Sequence, residues 1–328
     1  MNSDKALICS YECTFCSECD ESTLHGVCPK CDGDLRRRPT RVEKKGNLGS
    51  FQNFQRANNV GLVMRDALNK HWPEYLMEGA ELAVLMIAMS VFSILLYHPA
   101  SPVVRAIPPE FIRRILMGLV MGSTLAGIVF SPWGKQSGAH MNPAFTLTFY
   151  RLGKVAPWDA VFYVVAQFIG GIAGVRIVTM FAGHLLANPA INYVSTVPGY
   201  AGVAVAFFAE TIISFMLVAV VLTVLNIQKI ARFTGAFLGA LVAVFVVFES
   251  PLSGTSMNPA RTLASAVMSE IWTGLWVYFL APPLGMLAAA ATYKSLNQQV
   301  VCAKLHHQNG ERCIFCEYQA SSKVTPKC

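Results

Sequence analysis

Apolar residues in this chain gather into six long blocks, at roughly 76–97, 112–130, 158–182, 202–225, 233–249 and 272–293. A bilayer core of ~30 Å takes about 20 helical residues, and these blocks are of that order. Lipid offers the backbone no hydrogen-bond partner, so each block is predicted to be an α-helix that satisfies its own amides. Gly and Ala are frequent inside the blocks, as close helix packing in membranes favours. Two further apolar stretches, Ala144–Tyr150 and Ala260–Met268, are too short to span. A soluble α/β core would need polar helix faces and alternating strands, and the pattern has neither. Composition agrees, with 54% hydrophobic and 14% charged residues against ~25% charged in soluble domains.

The polar remainder divides the chain. Residues 1–35 form a Cys-rich module, 36–71 a basic linker that is disordered or amphipathic, 72–296 the membrane domain, and 297–328 a polar tail with its own Cys and His residues. The net charge of +7 is explained by its distribution and gives no reason to expect nucleic acid. Arg36, Arg37, Arg38, Arg41, Lys44, Lys45, Arg56, Arg65 and Lys70 precede the first block. Lys135, Arg151, Lys154, Lys229 and Arg232 fall in two later connections, while 183–201 carries no Lys or Arg. The positive-inside rule then puts both termini in the cytoplasm of an integral protein of the inner (plasma) membrane. Arg105, Arg113 and Arg114 lie on the other side in that topology. The polar, Cys-rich start shows no apolar signal-peptide region.

The chain also repeats itself. Ser137-Gly138-Ala139-His140-Met141-Asn142-Pro143-Ala144-Phe145-Thr146-Leu147 is echoed 116 residues later by Ser253-Gly254-Thr255-Ser256-Met257-Asn258-Pro259-Ala260-Arg261-Thr262-Leu263, with eight of eleven positions identical. Pro at a first helical position lacks an N–H that would be unpaired anyway. The Asn before it can cap the helix and keep its amide donors. Each copy follows the second span of a three-span half, so the halves are inverted. The two short helices enter from opposite faces with their N-termini pointing at each other.

These two Asn-Pro-Ala boxes, the Ser-Gly-Ala-His lead-in to the first and Arg261 after the second resemble the aquaporins, the major intrinsic protein family. Gln167-Phe168-Ile169-Gly170-Gly171 and Pro283-Leu284-Gly285 are similar to that family's helix-packing motifs. The resemblance covers about 72–296. It implies an all-α, aquaporin-like membrane protein with six transmembrane helices and two half-helices as an inverted repeat, assembled as a homotetramer in the lipid bilayer. It further implies that Asn142 and Asn258 donate to one central water, breaking the proton wire, while two helix N-termini add about half a positive charge each. By the same resemblance Arg261, Thr255, Val246 and a span-two residue form a narrow filter. The span-two residue is Met121 or, if the following loop is one residue longer than usual, Gly122. The aromatic and His common in water-selective members are then absent, although Thr262 stands where glycerol-type members usually have Asp. Glu78 and Glu210 would accept backbone N–H bonds from the boxes, with Glu81 a rival to Glu78, and His140 would line the cytoplasmic half of the pore. Asn188-Pro189-Ala190 lacks the lead-in and is read as an ordinary turn.

Ten cysteines fall outside the spans. In the head, Cys16-x₂-Cys19 and Cys28-x₂-Cys31 have the spacing of a tetrahedral zinc site, with Cys9 and Cys13 able to substitute. The head is therefore expected to be a small zinc-ribbon-like module, and it resembles part of a small bacterial domain of unknown function. In the tail, Cys302, His306, Cys313 and Cys316 could hold a second metal, or be free thiols. The overall reading is a passive channel, not an enzyme, for water and small neutral solutes such as glycerol, ammonia or peroxide. It excludes protons and ions and needs no cofactor for conduction. The alternative is a metal- or redox-responsive membrane sensor or scaffold with a vestigial pore. A head of 35 residues has too little core to fold unaided, so metal should supply much of its folding free energy. Deleting residues 1–35 should lower bound zinc by about one equivalent per subunit in elemental analysis. Equal zinc in the two chains would refute a metal site in the head.

Overall fold

The computed structural model of the chain describes residues 6–8, 14–16, 27–28, 34, 36–37, 48–298, 300–307 and 313–317, with 6–8, 14–16, 36–37 and 48–62 described by backbone alone. The chain forms two compact units, Met1–Val60 and Gly61–Cys328. In the first, β1 (Ala6–Ile8) pairs antiparallel with β2 (Thr14–Cys16) and β3 (Arg36–Arg37), in the order β2-β1-β3. Ala6 lies opposite Cys16 and Leu7 opposite Arg37. A separate antiparallel bridge joins Val27 to Asp34, and the adjacent Cys28 is fully buried. The head ligands Cys9, Cys13, Cys19 and Cys31, and the side chain of Cys16, lie outside the described residues.

The second unit is helical. Among the described residues six helices are long and apolar enough to cross a membrane, and they coincide with the six sequence blocks to within a few residues except at the start. Helix α1 runs over Leu48–Tyr97. The expected linker is thus helical from Leu48 onward. Of the two expectations for this stretch, disordered or amphipathic, the backbone from Leu48 excludes the first: polar residues do not break a helix, whereas Pro does, and none occurs in α1 before Pro73. Asp66 and Lys70 pair one turn apart at 2.9 Å, a contact that favours the helix modestly. After the short α2 (Pro102–Ala106), the chain continues through α3 (Glu110–Phe130), a turn-like α4 (Pro132–Ser137) and half-helix α5 (Pro143–Arg151). Helix α6 (Pro157–Leu186) closes the first half. The second half repeats the plan with α7 (Gly202–Asn226), α8 (Thr234–Phe248), α9 (Ser250–Ser253), half-helix α10 (Pro259–Ser269) and α11 (Leu275–Ser295). Chain direction alternates, so the connections after α3, α7 and α11 share one face, here called the tail face. Those after α1, α6 and α8 share the opposite face.

Glycines set how closely the helices approach, both within and between the halves. A Cβ on Gly122 would lie 2.3 Å from the Gly239 carbonyl oxygen, and one on Gly239 2.3 Å from that of Gly122. Helices α3 and α8 therefore meet backbone to backbone. Gly170 against Gly79 joins α6 to α1, and Gly285 against Thr211 joins α11 to α7. Asn188 is part of an Asx-type turn, its Oδ1 accepting from the Ala190 N–H at 3.0 Å, as its sequence context suggested. Gly122→Ala should lower the thermal unfolding temperature in detergent, since the new methyl meets backbone that cannot yield. A cost of roughly 1–3 kcal/mol is expected. Gly127→Ala, where a Cβ meets nothing within 4 Å, is the control. Equal effects at the two sites would contradict the packing argument.

Candidate functional site

The two half-helices start in the middle of the bundle, end to end. Asn142 caps α5 from an extended conformation, its Oδ1 accepting from the Ala144 N–H at 2.9 Å. Asn258 caps α10 in the same way through the Ala260 N–H at 3.0 Å. Each amide also reaches across to the other repeat. Asn142 Nδ2 donates to the Met257 carbonyl at 2.7 Å, and Asn258 Nδ2 to the Met141 carbonyl at 2.8 Å. An amide NH₂ has two hydrogens, so each Asn keeps one for the cavity that both residues line.

The loops that deliver these residues hold left-handed backbone at matching positions. Gly138 and Gly254, Ala139 and Thr255, and Met141 and Met257 all have φ between 49° and 108°. For the non-glycine members this costs energy, of order 1–3 kcal/mol each. Buried carboxylates supply the offset. Glu78 accepts from the backbone N–H of His140 at 2.8 Å and of Met141 at 2.7 Å. Glu210 accepts from those of Ser256 at 2.6 Å and Met257 at 2.7 Å. Glu78 is thus the partner of the first box, with Gln167 Nε2 as a further donor at 2.9 Å. Glu81 has a different task, accepting from Ser137 Oγ at 2.9 Å. In the second half one carboxylate does both jobs, since Ser253 Oγ donates to Glu210 at 2.7 Å. Tyr163 and Tyr278 finish the symmetry by donating to the Ser137 and Ser253 carbonyls.

Two cavities meet at Arg261. The inner one, of about 100 Å³, runs past Asn142 and Asn258 and is walled for the most part by apolar side chains such as Leu85, Phe145 and Leu217. The outer one, about 560 Å³, is a vestibule on the opposite face. Met89, Met121, Val246, Thr255 and Arg261 line both, which makes them the junction. Met121 stands there, while Gly122 is taken up by the contact with Gly239. Arg261 Nη2 donates to the sulfur of Met89 at 3.3 Å, and its buried Nε and Nη1 meet no acceptor among the described residues. Met89 was not anticipated, because a Met in an apolar span carries no signal of its own. Arg113 and Arg114, which departed from the charge rule, line the vestibule. Arg113 is held there by bonds to the carbonyls of Ile107 and Pro108.

At the tail face the inner cavity is closed by the chain's own tail. His140 lines that cavity, but its Nε2 lies 2.9 Å from the Ala303 carbonyl. Its ring stacks between Phe149 and Phe315, with centroids 5.4 Å away on each side. The Leu305 N–H donates to the Gly138 carbonyl at 3.2 Å, and Leu305 itself is part of the cavity wall. Nothing in the sequence of the tail announced this, apart from its cysteines.

Those cysteines converge. Ligand atoms of Cys302, His307, Cys313 and Cys316 all lie within 4.8 Å of one another. The histidine of the cluster is His307. His306, expected from a Cys-x₃-His count, packs its ring edge-on against Phe130 instead. The tail is too compact for counting along a chain to tell which of two adjacent rings turns inward. The hydrogen bond between Cys302 and Cys313 holds the Cys313 thiol below the usual thiol range.

The major intrinsic protein profile matches residues 77–293, and a protein of unknown function, DUF1272, matches residues 1–41. Aquaporin NIP3-1 of Zea mays is 34% identical over 226 residues, 68% of this chain and 70% of that protein. Aquaporin NIP2-2 of the same plant is 36% identical over 176 residues, 53% of this chain and 58% of that protein. The X-ray structure of the aquaglyceroporin from Plasmodium falciparum superposes with a TM-score of 0.57 at 20% identity, covering 70% of this chain and 97% of the other, which is a likeness of fold. With its paired half-helices, the match along the whole bundle and relatives at this identity, the chain belongs to the major intrinsic protein family.

Proposed function

We propose that the chain is a passive pore for water and small uncharged polar solutes that excludes protons and other ions, working as a homotetramer with one pore per subunit. The reading is carried by one observation: two Asn amides, each with a donor hydrogen left over, face one cavity from opposed half-helix N-termini. A solute oxygen that accepts from both must turn its own hydrogens outward, and it cannot relay a proton. The helix ends and Arg261 add positive potential on the same path, which repels cations. No step needs a cofactor. The junction of Met89, Met121, Val246, Thr255 and Arg261 has one charged donor and mostly apolar, flexible walls, so it favours molecules larger than water that carry a few hydroxyls. The topology with tail and head in the cytoplasm is part of the same proposal and rests on the charge distribution. Intact Asn142, Asn258 and Arg261 speak against a vestigial pore, because an unused Arg inside a membrane would cost a few kcal/mol for nothing.

The test is osmotic shrinkage of proteoliposomes, for the full chain and for a chain ending at Gln298, since the tail covers one mouth. Water flux above that of empty liposomes is expected in at least the shortened chain, without proton flux under a pH gradient. Flux equal to empty liposomes in both chains would overturn the channel, and a proton current would overturn the exclusion. Val246→His places a bulky, polar ring beside Arg261. It should lower glycerol flux by about tenfold, equivalent to ~1.4 kcal/mol of barrier, while reducing water flux far less. Both fluxes are compared in the chain ending at Gln298, and water flux there without measurable glycerol flux would refute the wide junction.

A further inference from the structure

The bundle explains everything from Glu74 to Ser295 but gives no reason for residues 302–305 and 313–315 to be buried as deeply as its core. Cys302, Ala303, Lys304, Leu305, Cys313, Ile314 and Phe315 are all at most 6% exposed. A tail of so few residues has no hydrophobic core of its own to hold it in that place. What it has is a cluster of soft ligands. Cys302 Sγ lies 3.6 Å from Cys313 Sγ and 3.7 Å from Cys316 Sγ, and His307 Nε2 lies 3.3 Å from Cys316 Sγ. Sulfurs bonded to one zinc at ~2.3 Å in a tetrahedron stand about 3.8 Å apart, and a nitrogen at ~2.0 Å stands about 3.5 Å from each of them. These three edges fit that figure, and all four ligand atoms lie within 4.8 Å of one another. They do not fit a disulfide, whose sulfurs lie ~2.05 Å apart. Cys313 precedes a helical turn over 314–317 and Cys316 lies within it, with the Cys316 N–H donating to the Cys313 carbonyl at 3.0 Å. This is the way a Cys-x₂-Cys knuckle turns two thiolates to one ion.

Phe315 sits inside that knuckle, and it is the residue that stacks on His140. Its ring also meets Tyr163 edge-on at 6.0 Å. A Cβ on Gly138 would come within 2.8 Å of it, so the ring lies directly on the lead-in of the first box. The same segment that carries Cys302 places the Ala303 carbonyl on His140 and Leu305 in the cavity wall. Every contact that closes the mouth is thus made by residues between, or next to, the four ligands.

We propose that Cys302, His307, Cys313 and Cys316 bind one zinc ion, and that the metal-clamped tail is a plug that keeps the tail-face mouth of the pore shut. Binding converts each thiol that joins the metal to a thiolate, with the proton released to solvent. Removal of the metal lets residues 300–307 and 313–317 leave His140, which frees its Nε2 for permeating solute. The metal site stands on the ligand geometry alone, whereas the plug rests on the channel reading.

The test uses the full chain, purified and reconstituted with zinc present. Elemental analysis should give about one zinc per subunit fewer in Cys313→Ser/Cys316→Ser than in the parent, whatever the head contributes. Equal zinc in the two would overturn the site. Water flux in that double variant should exceed the parent's by roughly tenfold or more, as release of a predominantly closed state requires. Phe315→Ala is the second arm: it removes the seal and spares the ligands, so it should raise flux while keeping its zinc. Zinc lost with flux unchanged in the double variant, or flux unchanged in Phe315→Ala, against a chain ending at Gln298 that conducts freely, would overturn the plug. Flux at the level of empty liposomes in all of these chains would instead overturn the channel reading, and the plug with it, while the zinc difference would still decide the metal site.

Discussion

Everything in the pore depends on four backbone amides that point at two buried carboxylates. Bringing two helices to a stop in the middle of a membrane leaves backbone donors with no water to satisfy them, at several kcal/mol each. Glu78 takes the amides of His140 and Met141, and Glu210 takes those of Ser256 and Met257. The left-handed turns before each box can then persist, the Asn caps can face each other, and the cavity between them keeps its donors. A carboxylate in lipid is expensive for the same reason that it is useful here: it has nowhere else to find hydrogen bonds.

The two halves meet this requirement unequally. Glu210 takes two amides of the second loop and Ser253, while Glu249 accepts from Thr255 Oγ1 of the same loop. In the first half the amides belong to Glu78 and the serine to Glu81, one turn further along α1. The first loop is therefore tied to a longer stretch of its helix, and Gln167 from α6 joins it there. This is also the half whose mouth carries the tail. A loop braced by three side chains from two helices is a firm seat for something that presses on it from outside.

Much of this was legible in the sequence, for reasons that differ by feature. The six spans were visible because lipid enforces long apolar runs, and the half-helices because Asn-Pro is a helix start with a fixed chemistry. Met121 could be chosen over Gly122 only in three dimensions, where Gly122 is consumed by the contact with Gly239. Glu78 and Glu81 lie on adjacent turns and look alike in one dimension, and only the direction of the amides separates them. The early start of α1 was left open between an amphipathic and a disordered approach, because polar residues neither enforce nor forbid a helix. Met89 was illegible, since a thioether that accepts from Arg261 is written with the same letter as one that fills a core. The tail's cysteines were noticed, but adjacent histidines cannot be told apart by counting, and no pattern in residues 300–317 says what surface they cover.

Gly138 and Gly254 are the same position in the two repeats, and each lacks a side chain because its turn is left-handed. Each also leaves a shallow notch in the lining of a mouth. On one face the notch receives Phe315 and Lys304 of the tail; on the other it receives Thr196 from the connection between α6 and α7. A residue kept for its torsion angle has become a socket, and repetition of the sequence has made two of them, one at each end of the pore. Either end can accept a segment from elsewhere in the chain without any change to the boxes. The two ends of a symmetrical channel can in this way acquire separate attachments, one a fixed part of the wall and the other a strap with its own fastening.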